Sequence, residues 1–393
     1  MQYRIAVAAA FTVLALTAFQ QAREERFKQM SRDWEKKGLA EPFKGMTANG
    51  TIEAGLYTVK GTGVSTDPMR KAATTFLAAL TDEQRRRTQF SVDDDEWRKW
   101  MNQHFYRRQG AAMLEMNDAQ RDAAYGMLAA SLSPRGYKLT RDIMHLDTTL
   151  GELNNNDFEQ YGEGRYHLTM MGEPSARNPW GWQIDGHHLI VNYFVLDDQV
   201  VMSPVFLGSE PVIARSGKYA GKSILQTEQD KGLKLVQSLT EAQRAKAVLN
   251  VSKTGNNNVG EAFKDNVVLD YAGLRASEMT APQKEALVDL LGEYIGNMDA
   301  GHAKLRLAEV RRQLDRTYFA WIGGTGPDDV FYYRIHSPVV LIEFDHQLPV
   351  GIRHLSKNPK TPDREHVHVV MRTPNGNDYG KDLLRQHYAK AKH

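Results

Sequence analysis

Three pairs of similar segments recur in the same order along the chain, and this repetition constrains the fold more than any other feature of the sequence. The pairs are 76–90 with 235–249, 117–132 with 280–295, and 180–194 with 331–345. The first two pairs have the spacing of amphipathic helices, and the third has the aromatic and β-branched runs of β-hairpins. Their colinear order favours an internal duplication. We therefore predict an α+β fold of two duplicated helix-plus-β-hairpin halves.

Each helical segment also begins with a capping box, in which a cap residue is followed three positions later by Gln. The four boxes are Thr81 with Gln84, Asn117 with Gln120, Thr240 with Gln243 and Thr280 with Gln283. A helix start used repeatedly would explain these helices without duplication, but the similarity of the hairpins is not a capping signal. We expect the two halves to be related by a pseudo-twofold axis, with their sheets meeting at the junction.

The N-terminal residues 1–22 predict export. Arg4 precedes an apolar run from Ile5 to Phe19, and a charged segment follows. This layout is typical of a signal peptide, and the run is shorter than the ~20 residues of a membrane-spanning helix, although an uncleaved anchor is the alternative. We expect a protein that is periplasmic or secreted, or is anchored to the inner membrane by this segment.

Three further regions follow the signal peptide or anchor. They are an N-terminal extension over residues 23–66, the first α+β half over 67–222, and the second half over 223–393, which ends in a helix. The boundary between the halves lies near SGKYAGKS, residues 216–223, whose turn residues lack the spacing of a phosphate-binding loop.

Charge and cysteine content exclude several classes of function. The chain has 50 Lys and Arg residues against 48 Asp and Glu, and the basic residues are scattered, so we predict no nucleic-acid partner. The absence of cysteine excludes disulfides and thiolate chemistry, which leaves histidine and oxygen ligands for any metal. The G-x-S-x-G, H-E-x-x-H and dinucleotide motifs are also missing.

Two strand-like segments in the second half carry candidate metal ligands. In REHVHVV, His366 and His368 lie two positions apart and project from the same face of a strand. In VVLIEFD, Glu343 and Asp345 share a face. A carboxylate buried in such an apolar run needs a metal, a cation or a set of hydrogen-bond donors.

The strand-like segment GHHLIVN in the first half supplies another histidine. Alternation places His187 on the more apolar face and His188 on the opposite face, so His188 is the better ligand candidate. The duplicated hairpins would bring it to the junction of the halves. The predicted metal ligands are His188, Glu343, His366 and His368. Such a set suits zinc first, with iron or copper as alternatives.

Eight further residues could assist a metal at this junction. The candidates for moving a proton are Glu173, His187 and Asp345. The candidates for supporting the ligands or binding substrate are Asn192, Arg334, Arg372, Asp382 and His387. Two of these have simpler explanations, since Arg334 could pair with Glu343 and Arg372 with Asp378. The C-terminal tail that carries Asp382 and His387 is expected to fold back towards the histidines.

The motifs GEPS, PWGWQIDGHHLIVNYFV, FYYRIHSPVVLIEFD and HVHVVMRTPNGNDYGKDLLRQHY resemble the family catalogued as domain of unknown function 3500, found in secreted bacterial proteins. The resemblance extends from about Ala72 to Tyr388. It implies that His187, His188, Glu343 and the two histidines of HVHVV match the family pattern, but it implies no activity. One departure is Ile190, where family members often have Ser.

These observations predict an exported metal-dependent enzyme, most simply a hydrolase that uses a metal-activated water at a His/Glu site between the halves. An iron- or copper-dependent oxidoreductase would use the same ligands. A non-catalytic ligand-binding protein is the other alternative, with Trp180, Trp182, Tyr332 and Tyr333 lining a groove. The expected partner is a small-molecule, sugar or peptide substrate.

Overall fold

The computed structural model describes residues 21–391, which form an α+β protein around one large mixed β-sheet. The strands of this region are β1 Gln89–Phe90, β2 Ala111–Ala112, β3 His167–Met171, β4 Trp180–Gly186, β5 Leu189–Leu196, β6 Gln199–Ser209, β7 Val248–Asn250, β8 Leu274–Arg275, β9 Tyr318–Gly323, β10 Phe331–His336, β11 Leu341–His346 and β12 Val367–Arg372. Its α-helices are α1 21–38, α2 Asp67–Ala79, α3 Asp82–Thr88, α4 Asp118–Ser131, α5 Pro134–Leu153, α6 Gln226–Ser238, α7 Glu241–Ala247, α8 Ala281–Ile295, α9 Ala300–Arg312 and α10 Lys381–Ala391.

The sheet is assembled from two antiparallel meanders that meet at its centre. Its strand order is β1-β3-β4-β5-β6-β12-β11-β10-β9-β7, with β2 beside β3 and β8 beside β9. The central pair is antiparallel, and its register runs from Val205 opposite Met371 to Ser209 opposite Val367. The predicted α+β class is therefore confirmed, while the pseudo-twofold relation of the halves stays a prediction.

The helices begin where the sequence motifs place them. All four predicted capping boxes form, at the N-termini of α3, α4, α7 and α8. In α3, for example, Gln84 N donates to Thr81 Oγ1, and Thr81 N donates to Gln84 Oε1 at 3.0 Å. Each box satisfies backbone donors that the first helical turn would otherwise leave without partners.

Helices from both halves pack on one side of the sheet, called here the helix face. Trp182 and Tyr193 stack on this face with ring centroids 5.1 Å apart, and Trp182 donates a hydrogen bond to Ser131 of α4. In the other half, Tyr333 donates to the Glu228 carbonyl of α6. The aromatic side chains of the hairpins are therefore part of the hydrophobic core and do not line a groove.

The opposite side, called here the loop face, carries polar side chains beside apolar ones such as Phe194 and is covered largely by irregular segments. The strand register and side-chain alternation place on it the side chains of Gln183, Asn192, Glu343, Asp345, His368 and Arg372. Much of the cover over the second half is the segment 251–266, called here the 251–266 loop. The buried polar side chains beneath it hydrogen-bond to this loop, as described below.

The N-terminal region packs on the irregular segments of the first half. Phe27 of α1 stacks on Phe105 with ring centroids 4.9 Å apart, and Trp34 also contacts that ring. In the described part of the chain, no helix combines the length and apolar character needed to cross a bilayer. The signal peptide or anchor predicted for residues 1–22 lies almost wholly outside the described residues.

Candidate metal centre

Three buried histidines from distant parts of the sequence converge on one point at the centre of the sheet. His188 follows β4, whereas His366 immediately precedes β12 and His368 is its second residue. Their Nε2 atoms are 3.2 Å apart between His188 and His368, 3.3 Å between His188 and His366, and 3.0 Å between His366 and His368. This group, called here the histidine triad, could hold a metal ion.

His188 reaches the triad from a turn, not from a strand face as its alternation with His187 predicted. β4 ends at Gly186 and β5 begins at Leu189, so the two histidines form the hairpin turn. His188 has a φ of +61°, in the left-handed region that residues other than glycine seldom adopt. The turn therefore directs His188 towards β12 at a modest conformational cost.

Gly208 of β6 makes room for the convergence. It lies opposite His368 in the central strand pair. A Cβ at this position would lie 3.3 Å from Cδ2 of both His188 and His368, and 2.5 Å from the carbonyl oxygen of Val367. The absence of a side chain here lets the two imidazoles approach each other.

The tautomers of two triad members follow from their hydrogen-bond partners. His366 Nδ1 lies 2.7 Å from the carbonyl oxygen of Leu348, and His368 Nδ1 lies 2.8 Å from Glu261 Oε1. A carbonyl and a carboxylate can only accept, so each Nδ1 carries the proton. In the neutral rings the Nε2 lone pairs then face each other, an arrangement that a bound cation stabilises.

Burial keeps two triad members, His188 and His366, in the form that binds metals. It lowers the pKa of His188 well below its ordinary value, and the neighbouring His187 and His368 lower it further. Burial likewise lowers the pKa of His366, with His368 adding to the effect. Burial alone would raise the pKa of Glu261, but the hydrogen bond from His368 and its charge lower it. The two neutral imidazoles of His188 and His366, near an ionised Glu261, are suited to a divalent cation.

The spacing of the triad fits a tetrahedral ion. Three nitrogens each about 2.0–2.1 Å from zinc, at tetrahedral angles, are about 3.3 Å apart. The observed Nε2 separations of 3.0, 3.2 and 3.3 Å are close to this value. The three protein ligands would occupy one face of the coordination shell and leave a position open.

The sequence as a whole matches one known family. A profile of the family described as protein of unknown function, DUF3500, matches residues 62–381 of the 393-residue chain. The chain belongs to the DUF3500 family. This confirms the resemblance found in the motifs, and the family description assigns no activity. Comparison with curated proteins and with solved structures gave no match.

Glu343, the fourth predicted ligand, is not part of the triad in this DUF3500 protein. Its carboxylate accepts hydrogen bonds from Val259 N, from Gly260 N at 2.7 Å and from Tyr332 Oη at 2.7 Å. The sequence required a metal, a cation or a set of donors for this buried group, and the structure supplies the donors. Glu343 thus fastens the 251–266 loop to the sheet.

Asp345, a predicted proton carrier, has the same structural role. Its Oδ2 accepts from Asn257 N at 2.6 Å and from Gln347 Nε2 at 2.6 Å. Its Oδ1 lies 2.8 Å from Lys253 Nζ, and both side chains of this ion pair are fully buried. Asp345 lies opposite His368 in the strand pair. Its two oxygens, however, already interact with Asn257 N and Lys253 Nζ of the 251–266 loop.

His187 is the predicted proton carrier that lies beside the triad. Its ring stacks on His188 with centroids 3.9 Å apart, and its Nδ1 is 2.6 Å from Asp147 Oδ1. Glu173 is exposed in the loop between β3 and β4, at the end of β4 opposite the His187 turn. The seven-residue strand separates them by about 20 Å, so Glu173 is not brought to the site.

The five residues predicted to support ligands or substrate also lie apart from the triad. Asn192 hydrogen-bonds to Gln183 and to the Pro204 carbonyl inside the sheet, and Arg334 donates to the Asp270 carbonyl. Arg372 is buried and pairs with Asp265 and Asp378. Asp382 and His387 belong to α10, which packs on the N-terminal segment through Gln386 and the Tyr57 carbonyl. The C-terminal tail therefore does not fold back on the histidines.

Four residues that contribute to the DUF3500 site carry no distinctive sequence signal. They are Asp147, Gly208, Glu261 and Leu348. Glu261 lies in the loop-like stretch KTGNNNVGEAFKDN, and Leu348 contributes only its backbone carbonyl. Each acts through a contact with a residue far away in sequence, so periodicity could not have found them.

Glu343 offers a test that separates anchoring from metal ligation. Burial raises its pKa to about 7, despite the donors of Tyr332, Val259 and Gly260. A carboxyl whose folded-state pKa is raised stabilises the fold below its unfolded pKa of about 4.5, and this contribution is lost as the pH rises through about 7. We expect Glu343→Gln to remove this pH-dependent loss of stability. Its full size is about 3 kcal/mol, from the difference between the two pKa values at 1.36 kcal/mol per pKa unit.

The measurement is urea unfolding of both proteins at pH 5 and pH 7.5, with metal content determined in parallel. The exposed Glu173→Gln serves as the matched control and should show wild-type pH dependence. Loss of bound metal from Glu343→Gln while it remains folded would contradict the anchoring role and restore Glu343 as a ligand.

Proposed function

We propose that this protein is an exported metal-dependent hydrolase with a zinc ion held by His188, His366 and His368. The observation that carries the proposal is the convergence of three buried Nε2 atoms at 3.0–3.3 Å, two of them on rings whose Nδ1 protons are fixed by acceptors. Imidazole ligands and an extracytoplasmic location without cysteine suit zinc. Three protein ligands are also the usual number in catalytic zinc sites, which keep one position for water.

The chemistry of such a site is hydrolysis. A bound zinc ion lowers the pKa of its water to about 7, which makes hydroxide available at neutral pH. Glu261 would orient His368 by accepting its Nδ1 proton, and Leu348 would orient His366 in the same way. His187, whose Nδ1 is held by Asp147, presents Nε2 as a base next to the triad. It is therefore our candidate for receiving the proton of the attacking water.

We expect solvent to approach the site beside two partly exposed neighbours of the triad, Glu261 and His187. The triad histidines are only 4–6% exposed, but the Glu261 side chain is 32% exposed and His187 is 11% exposed. The substrate class that we propose is a small molecule, or a terminal group of a sugar or peptide, that reaches the triad from this side.

The experiment is metal removal and replacement. Metal content is measured in protein purified from metal-replete cells, and hydrolysis of p-nitrophenyl acetate and p-nitrophenyl phosphate is followed before chelation, after chelation and after addition of Zn²⁺. We expect about one zinc per chain and activity that follows the zinc. Glu261→Gln should weaken zinc binding by about 10–100-fold. Folded protein without stoichiometric metal would refute the proposal.

Two alternatives are distinguished by the same experiment. Copper or iron in place of zinc, with an optical spectrum that changes on reduction, would indicate an oxidoreductase that uses the same imidazoles. Bound zinc without turnover of any ester, phosphate or peptide substrate would indicate a metal-binding protein that is not an enzyme.

We also infer that the two halves arose by duplication and are related by a pseudo-twofold axis at the β6–β12 pair. The supporting observation is a repeated set of glutamine contacts at the capping boxes. Gln120 Nε2 donates to Gln84 Oε1 and to the Ala79 carbonyl. Gln283 Nε2 donates to Gln243 Oε1 and to the Ser238 carbonyl.

The order of elements supports the same inference. Residues 67–209 contain two helices, two short strands, two helices and a four-strand meander, and residues 226–372 repeat this order. β1 runs parallel to β3 as β7 does to β9. The triad lies at the junction but takes one histidine from the first half and two from the second, which favours a single composite site.

A further inference from the structure

A second candidate site lies on the helix face of the sheet, away from the triad. It is a cavity of 430 Å³ between α9, the ends of β6 and β12, and the segment 56–62. Met371 of β12 lines it, and alternation places this side chain on the face opposite His366 and His368. The volume lies within the roughly 300–1,000 Å³ of small-molecule pockets.

The interior of the cavity is apolar and adaptable. Its apolar lining includes Leu56, Met202, Met298, Leu305, Met371 and Leu383. Methionine side chains are flexible and polarisable, and they adapt to ligands of different shape. This lining suits an alkyl chain or a ring system.

Most polar groups in the wall are already bonded within the protein. Tyr57 Oη donates to the Pro374 carbonyl, and His302 Nε2 lies 3.2 Å from the Asp198 carbonyl. Arg306 pairs with Glu309 and donates to the Val339 carbonyl. These groups hold the cavity wall together and are not free to bind a ligand.

Two cations in the lining form no ion pair with a carboxylate in the described part of the chain. Lys60 and Arg312 both line the cavity and are exposed. Within residues 21–391, neither side chain forms an ion pair with a carboxylate, whereas the neighbouring Arg306 does so with Glu309. The lining therefore combines an apolar interior with two positive charges that lack a partner in the described chain.

We propose that this cavity binds an amphiphilic carboxylate, with its apolar part among the methionines and its head at the exposed, positively charged rim that Lys60 and Arg312 provide. A carboxylate would be attracted by the positive charge of the rim, and a guanidinium can also bind it in a bidentate manner. A neutral apolar molecule would gain only the apolar burial, and a cationic one would be repelled. The proposal is independent of the metal centre.

The experiment uses three probes that share one alkyl chain: dodecanoate, dodecan-1-ol and dodecyltrimethylammonium. Each is titrated calorimetrically into the full chain in detergent-free buffer, below its micelle concentration. We expect dodecanoate to bind with 1:1 stoichiometry, at least about tenfold more tightly than the alcohol, and the cation to bind least. Added salt should weaken dodecanoate binding more than alcohol binding.

Variants on exposed positions test the site without disturbing the core. Lys60→Glu with Arg312→Glu should weaken dodecanoate binding at least about tenfold and leave alcohol binding unchanged. Ala308→Trp, on the exposed surface of α9 and in the cavity lining, should weaken both. Lys304→Glu is the matched control, since Lys304 is exposed on α9 but outside the lining, and it should behave as wild type.

Two outcomes would overturn the proposal. One is the absence of dodecanoate binding to the folded protein. The other is evidence that the cations take no part in binding. Such evidence would be equal binding of dodecanoate and the alcohol, or dodecanoate binding that Lys60→Glu with Arg312→Glu does not weaken. The His366→Ala variant should retain dodecanoate binding, which keeps this test separate from that of the metal centre.

Discussion

Replacing any one triad histidine by alanine is expected to abolish stoichiometric metal binding while leaving the protein folded. The change removes one of three nitrogen ligands, and loss of a direct ligand should exceed the roughly 10–100-fold effect typical of an outer hydrogen-bond partner. His188 and His368 both pack against Phe206, so urea unfolding is used to check that each variant is folded. In the metal-free state the change also removes a close contact between Nε2 atoms that are 3.0–3.3 Å apart.

The measurement is metal content after gel filtration, together with competition against a zinc chelator of known affinity. His188→Ala, His366→Ala and His368→Ala are compared with wild type and with His354→Ala. His354 is exposed on the loop between β11 and β12 and serves as the matched control. Metal retained at wild-type affinity by all three triad variants would exclude the triad as the binding site.

Arg372→Met is expected to be the most destabilising change on the loop face. The Arg372 side chain is fully buried, and its Nη1 lies 2.9 Å from Asp265 Oδ1 and 3.1 Å from Asp378 Oδ2. It also donates to the Gly260 and Glu261 carbonyls of the 251–266 loop. Removing the guanidinium leaves buried negative charge without its main partner, which typically costs about 3–5 kcal/mol.

Urea unfolding at pH 7 measures this effect. Arg385→Met is the control, because Arg385 pairs with Asp382 on the surface of α10, where its side chain is 71% exposed. A surface pair of this kind contributes about 0–1 kcal/mol. Equal stability of the two variants would contradict the structural role of Arg372 and revive the prediction that it binds an anionic substrate.

Local patterns in the sequence were sufficient for the elements and for part of the site. Capping boxes fixed the starts of α3, α4, α7 and α8, because their hydrogen bonds join residues three positions apart. Alternation along β12 placed His366 and His368 on one face, since that rule depends only on the pleat of the strand. His188, which was preferred to His187 as a ligand, does join the group that could hold a metal ion, even though the predicted strand is a turn.

The site residues that prediction placed wrongly depended on the cover of the loop face. Glu343 and Asp345 share a face, as side-chain alternation predicts. Alternation does not predict which segment of the chain packs over that face. The 251–266 loop supplies most of their donors, and no periodicity identifies such a segment. The same loop brings Glu261 to His368, a contact between residues 107 positions apart in sequence.

The sequence by itself therefore determined the α+β class, the starts of four helices and the family, and it singled out the three histidines as candidate ligands. Only the tertiary structure decided that these histidines form a group without Glu343, that Gly208 makes room for them, and that Glu261 and Asp147 support the site. The physical reason is that hydrogen-bonding and side-chain periodicities are fixed by neighbours along the chain. The partner of a buried carboxylate or imidazole is instead fixed by which distant loop packs over it.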